Sequence, residues 1–240
     1  MIYLNSMQQV AIVIPVYQAK LSINEQISLR QCQRVLGKHP LIIVAPHQLN
    51  TDFLTEYIDA YTVIRFPDTY FVSPKTYNHL LVSEAFYQAL IEFEYILIYQ
   101  LDAYVFEDQL LAWCQKGYDY IGAPKLKKAH FTGDSTLLHE PILMNGGLSL
   151  RNVKSLLRYI RYYGYFFNEW KANEDAMFSF AQRRSYPFRW LLKLPSWQDA
   201  LAFSIEKNPE IGVKLLGGSL PFGCHAWEKY SPSFWQKHIR

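Results

Sequence analysis

The stretch YILIYQLDAYVF, residues 95–106, reads as a β-strand almost to its end, yet a carboxylate stands inside it. Ile96, Leu97 and Ile98 form an apolar run, Gln100 and Asp102 interrupt it, and Val105 and Phe106 resume it. An ionised Asp in a buried strand is costly unless it is paired or holds a metal. In an open α/β sheet, ligands bind beyond the carboxyl ends of the strands. An acid at such an end is therefore expected to face a cleft. The competing reading is an Asp that caps the following loop or pairs with a Lys.

Working outward, the first half of the chain alternates strand and helix. Residues 10–16 (VAIVIPV) form a continuous apolar run rich in β-branched side chains, the pattern of a strand buried on both faces. A helix is expected over 22–36, with Ser22 as its cap, Glu25 three residues on and Gly37 after its end. Residues 41–45 (LIIVA) read as a second strand, 51–58 as a short helix and 63–66 as a third strand. Residues 73–94 read as one long helical stretch with Pro74 in its first turn. A helix over 108–115 and a strand over 118–123 complete the alternation. The pattern predicts an α/β domain, a mostly parallel central sheet flanked by helices.

The second half is less regular. Residues 125–141 read as a loop, 144–151 as a short strand entered through two glycines, 152–163 as a helix, and a further helix is expected near Asn173. The 240 residues suit one domain, or a domain with a small appendage. Half of the residues are hydrophobic and 16% are aromatic, so a large core is available.

The net charge is +3 and the charges are scattered; short clusters such as Lys125, Lys127 and Lys128 are too small for a nucleic-acid footprint. Three widely spaced cysteines, Cys32, Cys114 and Cys224, form no CxxC pair, which argues against a disulfide framework and fits a reducing compartment. The start lacks a basic segment ahead of its apolar run, and Pro15 interrupts that run, so neither a signal peptide nor a membrane span is expected. The expected location is the cytoplasm, with room for peripheral contact with a membrane. Oligomeric state is not readable.

Three later features bear on Asp102. Asn145-Gly146-Gly147 places two glycines in succession, where a backbone can approach a ligand or take a positive φ; an ordinary tight turn is the plainer reading. Asn173-Glu174-Asp175 puts two acids at a helix start, where the macrodipole favours them and where a general base could also face a cleft. His225 in GCHAW is either a partly buried histidine among aromatics or a metal ligand beside a carboxylate.

In this order, YNHLL (77–81), ILIYQLDAYVF (96–106), YDYIGAP (118–124), NGGLSLR (145–151), NEDAMF (173–178) and PFGCHAW (221–227) resemble the nucleotide-sugar glycosyltransferases of the GT-A fold. Within them, the chain is similar to a bacterial glycosyltransferase-like domain family of surface-polysaccharide genes. The resemblance implies a single Rossmann-like domain, with 1–124 as a nucleotide-binding half and 125–240 as an acceptor and catalytic half, and transfer of a sugar from a nucleotide-diphosphate donor, UDP-linked by expectation, to a glycan or glycolipid acceptor. It implies Asp102 as ligand of a divalent cation, manganese or magnesium, with Gln100 where such enzymes usually carry a first Asp, and His225 completing the metal site. It implies Asn145, Gly146 and Gly147 beneath the sugars, Tyr17 against the nucleotide base, and Asp175, with Glu174 as the fallback, as base of an inverting reaction.

A retaining transferase or a nucleotidyltransferase on the same fold stays open, as does a non-catalytic nucleotide-sugar or glycan-binding module, which Gln100 favours. The aromatic run 159–170 (YIRYYGYFFNEW) could border the acceptor, form a membrane or dimer patch, or be plain core. A dinucleotide-binding domain is disfavoured, because Pro15-Val16-Tyr17-Gln18 stands where GxGxxG would follow the first strand.

Overall fold

The computed structural model describes residues 8–126, 142–167, 170, 172–181 and 190–239. Most of the loop expected over 125–141, with Lys127 and Lys128, lies outside them, as do 168 and 169 of the aromatic run.

Strand β1 (Gln8–Pro15) is central and buried from Val10 onward. It pairs in parallel with β2 (Leu41–Pro46) on one side and β4 (Phe93–Tyr99) on the other. With β3 (Thr62–Phe66), β6 (Tyr120–Pro124) and β7 (Met144–Asn152) they form a six-stranded sheet of order β3-β2-β1-β4-β7-β6. Only β7 runs antiparallel to its neighbours, and it comes from the second half of the chain to lie between two strands of the first. The mostly parallel sheet follows from β-branched runs buried on both faces, as expected.

Helix α1 (Ile23–Leu36) starts with the anticipated capping box: the Glu25 amide donates to Ser22 Oγ at 3.2 Å, and the Ser22 amide donates to Glu25 Oε2 at 2.7 Å. Two other expectations fail. The helical stretch over 73–94 is two short helices, α2 (Pro74–Leu81) and α3 (Glu84–Gln88). Ser83 re-caps the chain between them, accepting from the Phe86 amide at 3.2 Å, and Phe93 already belongs to β4. The strand over 95–106 breaks after Tyr99. Its continuation β5 (Ala103–Val105) joins a separate three-stranded sheet, β5-β9-β8, with β8 (Ser204–Ile205) and β9 (Gly223–His225). Asp102 therefore lies in a turn between two strands rather than inside one. The helix expected over 108–115 is α4 (Leu110–Gln115). Among the described residues, no helix is long and apolar enough to cross a membrane.

Candidate functional site

Three parts of the fold converge at the carboxyl end of β4. The turn after β4 is closed by the Ala103 amide donating to the Gln100 carbonyl at 2.8 Å, and it presents Gln100 and Asp102 outward. Antiparallel pairing sets Ala103 opposite His225, so register alone brings the ring to the turn. His225 Nε2 stands 3.0 Å from Asp102 Oδ1 and 3.3 Å from Gln100 Oε1. His225 is buried, and the residue after it, Ala226, holds φ +50, a left-handed conformation that a non-glycine residue adopts at a cost. Burial pushes the Asp102 carboxyl up, but the hydrogen bond and charge of His225 outweigh it, and with Lys229 beyond they hold it below its ordinary value.

The third part is β7. Its register against β6 slips between Gly122 and Ala123, so 146–148 bulge from the ladder at the site end of the sheet. The bulge is tied down by the Gln100 amide donating to the Gly147 carbonyl at 2.9 Å and the Gly147 amide donating to Asn145 Oδ1 at 2.7 Å. Neither Gly146 nor Gly147 has a positive φ. The glycines are required by side chains instead. A Cβ on Gly147 would lie 2.0 Å from His225 Nε2, and one on Gly146 would lie 2.0 Å from Glu174 Oε1. The motif thus makes room for His225 and Glu174.

Glu174 and Asp175 open a single helical turn, Glu174–Ala176, which runs on into a π-helical turn, Met177–Ala181, rather than the longer helix expected. The two acids are placed differently. Glu174 is buried and accepts from Arg151 Nη2 at 3.0 Å. Arg151, fully buried in β7, also donates to Ser149 Oγ (2.9 Å), the Tyr87 hydroxyl (3.2 Å) and the Gly146 carbonyl (3.3 Å), and its guanidinium lies over the rings of both Tyr120 and Phe178. Such a buried charge persists because it is paired and its protons are used. Asp175 is half-buried and accepts from the Ala176 amide at 2.6 Å. Burial and the adjacent Glu174 charge, with a smaller push from Glu206, raise its carboxyl from 3.8 to about 7, against the opposing Ala176 amide and Arg151. A carboxyl titrating near neutrality can take a proton from an acceptor hydroxyl.

Glu206, just past β8, escaped the sequence reading. Its Oε1 lies 3.9 Å from His225 Nδ1 and accepts from Asn145 Nδ2 at 3.4 Å. Among the described residues the buried Nδ1 atom has no hydrogen-bond partner, and Glu206 stands just beyond hydrogen-bonding range of it. No local spacing could mark Glu206, because only the β8–β9 pairing carries it to the site.

A cleft of about 530 Å³ opens beside Asp102. Pro15 and Tyr17 at the end of β1, the 71–74 segment, Tyr77, Gln100, Glu25 and Glu228 line it. Tyr17 is 58% exposed, which removes it from the core and puts its ring at the cleft rim. Among the described residues, no group of three or more His, Cys, Asp or Glu is arranged to hold a metal. The carboxylate of Asp102 and imidazole of His225, with the Gln100 amide oxygen beside them, do fit a hard or borderline divalent cation whose remaining ligands come from a bound phosphate and water.

A comparison with curated proteins finds no match. Among solved structures, the fold is similar to a galactosyltransferase, LgtC, crystallised with donor and acceptor sugar analogs. That match has 10% identity and a TM-score of 0.50, over 92% of this chain and 87% of that one. It is also similar to the apo form of the glycosyltransferase GlyE of Streptococcus pneumoniae, with 12% identity and a TM-score of 0.54, over 97% of this chain and 60% of that one. At these identities the likeness establishes the fold, an α/β sheet flanked by helices of the GT-A glycosyltransferase type, and nothing finer. The family model described as "Protein of unknown function (DUF5672)" matches residues 60–225, which hold Gln100, Asp102, the Asn145–Gly147 bulge, Glu174, Asp175, Glu206 and His225, and the chain belongs to that family.

Proposed function

We propose that this protein is a glycosyltransferase that moves a sugar from a nucleotide-diphosphate donor to a hydroxyl of a glycan or glycolipid acceptor, as in surface-polysaccharide synthesis. The observation that carries the reading is the 3.0 Å contact of Asp102, which lines the cleft, with His225, formed by residues far apart in the chain. Tyr17 would stack on the nucleotide base at the cleft rim. Asp102 and His225 would hold a divalent cation, manganese or magnesium, with Gln100 beside it. When bound, that ion neutralises charge on the departing diphosphate. Asn145 and the Gly146-Gly147 backbone would lie beneath the sugars.

Asp175 is the general base of an inverting displacement: its carboxylate takes the proton of the acceptor hydroxyl as that oxygen bonds to the anomeric carbon and the bond to the diphosphate oxygen breaks. Glu174 does not share this role, because Arg151 occupies it. It positions the helical turn and raises the Asp175 carboxyl.

The test is nucleoside-diphosphate binding by calorimetry, with and without manganese, on the native chain and on Asp102→Asn. Binding should need the metal and fall by about tenfold or more in the variant, with an unchanged circular dichroism spectrum. Metal-independent binding of full strength would reject the site. The anomeric configuration of the product, read by NMR, separates this reading from a retaining transfer, in which the acceptor attacks from the face of the departing diphosphate and its proton goes to that diphosphate rather than to Asp175.

A further inference from the structure

Helix α5 (Val153–Phe166) has a composition unusual for the exterior of a globular domain. Its sequence VKSLLRYIRYYGYF carries Lys154, Arg158 and Arg161 and no acid. Val153, Leu156, Leu157, Tyr159 and Ile160 turn inward and are buried. The outward stripe, at spacings of three and four, consists of the three cations with Tyr162, Tyr165 and Phe166. Tyr165 is 85% exposed. The Phe166 ring sits edge-on to both tyrosines, 5.1 Å from Tyr162 and 5.2 Å from Tyr165. The rings and cations border an open apolar hollow of about 700 Å³, with exposed Ile91 on its rim. Arg161 pairs with Glu84 at 2.7 Å, but both groups are half-exposed, and such a pair is easily exchanged.

We infer that this face of α5 docks on the anionic headgroup surface of a lipid bilayer. Rings with an apolar body and a polar tip settle at headgroup depth, and Lys and Arg on the same stripe lay their stems along the apolar surface and reach phosphate oxygens. The charge decides among occupants. A second copy meeting this face across a two-fold axis would set the same cations against each other. A neutral glycan would leave them unmatched. The geometry also gives the docked protein a sense. Asn152 pairs with Tyr95 at the end of the sheet away from the site, and Glu174 is back against Gly146 at the site end, so α5 spans the return between them. A bilayer along α5 thus runs up to the edge that carries Asp175.

The experiment is flotation of the full chain with phosphatidylcholine vesicles, with and without phosphatidylglycerol. It reads binding and not transfer, so its outcome is separate from that of the transferase reading. Binding is expected on the anionic vesicles, weakened by salt. Lys154→Gln with Arg158→Gln should weaken it by about 25-fold, roughly fivefold for each cation. Tyr165→Ser with Phe166→Ser should abolish retention on anionic vesicles while nucleotide binding is kept; all four positions are exposed. Equal binding to neutral vesicles, no binding to either, or variants that bind as the native chain does would overturn the inference. So would a dimer in light scattering that the ring variants dissolve, which would give the face to a second copy.

Discussion

Asp175→Asn is expected to make the protein more stable as it makes it inactive. Burial and Glu174 raise the folded carboxyl to about 7 from an ordinary 3.8. Between those values the folded state holds a proton that the unfolded state has lost, so stability falls as pH rises through this window and levels off above it. At ~1.4 kcal/mol per pH unit, the full window is worth about 4 kcal/mol. The amide of Asn has the shape of the protonated acid and no charge to bury, so at pH 8 the variant escapes that cost. For a chain of this size, 1 kcal/mol moves the melting temperature by about 2–4 °C, which puts the ceiling of the gain near roughly 8–15 °C. The assay is thermal unfolding of both proteins across the acid and neutral range. Other titrating groups are common to both and cancel in the difference, which should be near zero at pH 4 and grow up to pH 8. Transfer should fall by about two to four orders of magnitude in the same protein. A difference that does not change with pH, or a variant less stable at pH 8, would refute the placement of this carboxyl in a desolvated, negatively charged corner.

Two further outcomes follow from the packing around that corner. Gly147→Ala should drive the His225 ring from its place, since the new Cβ would meet Nε2 at 2.0 Å. Calorimetry should then show manganese-supported nucleotide binding lower by about tenfold or more, at a folding cost of about 1–3 kcal/mol, and unchanged binding would show that the ring is not a ligand. Glu174→Gln should cost about 3–5 kcal/mol in urea unfolding, because it leaves the Arg151 guanidinium buried against a neutral amide. It should also move the acid limb of the pH–rate profile to lower pH, because Asp175 loses its nearest negative neighbour; an unmoved limb would show that Glu174 does not tune the base.

What was legible in the sequence was what local chemistry decides. VAIVIP can be little other than a strand buried on both faces, and Ser22 with Glu25 is a helix start. An acid just past a strand end marks a cleft in any sheet of this kind. The misread stretches are those in which a local pattern had two solutions. Residues 73–94 have helical composition throughout, but Ser83 can cap as well as continue, and the pairing of Phe93 with Gln8 takes the end of the run into β4. Residues 95–106 read as one strand because β4 and β5 are both apolar; the break between them is set by β9, which pairs with β5 from more than a hundred residues away. Glu206 stayed hidden because strand register brings it to His225, and Arg151 because its partner Glu174 comes from a helical turn remote in sequence.

The glycines carry this point furthest. A pair of glycines in sequence suggests a turn or an approach to ligand, and the same pair in the fold is the space occupied by His225 and Glu174. Gly147 therefore belongs with the histidine beside Asp102, and Gly146 with the Glu174–Arg151 ion pair next to Asp175, although neither has a side chain of its own. The cleft is bordered by Glu25, Asp102 and Glu228, and among the described residues its lining includes no Lys or Arg. Glu25 is committed to its capping box and Glu228 accepts from Asn24, so neither carboxylate is neutralised by a full positive charge there. A diphosphate entering such a cleft meets repulsion that amide and hydroxyl donors offset only in part. A divalent cation held as proposed by Asp102 and His225 would remove that repulsion with two protein ligands. With Gln100 rather than a second acid beside them, the site has less charge of its own to hold the ion, so metal and diphosphate should bind as a pair, each weakly without the other.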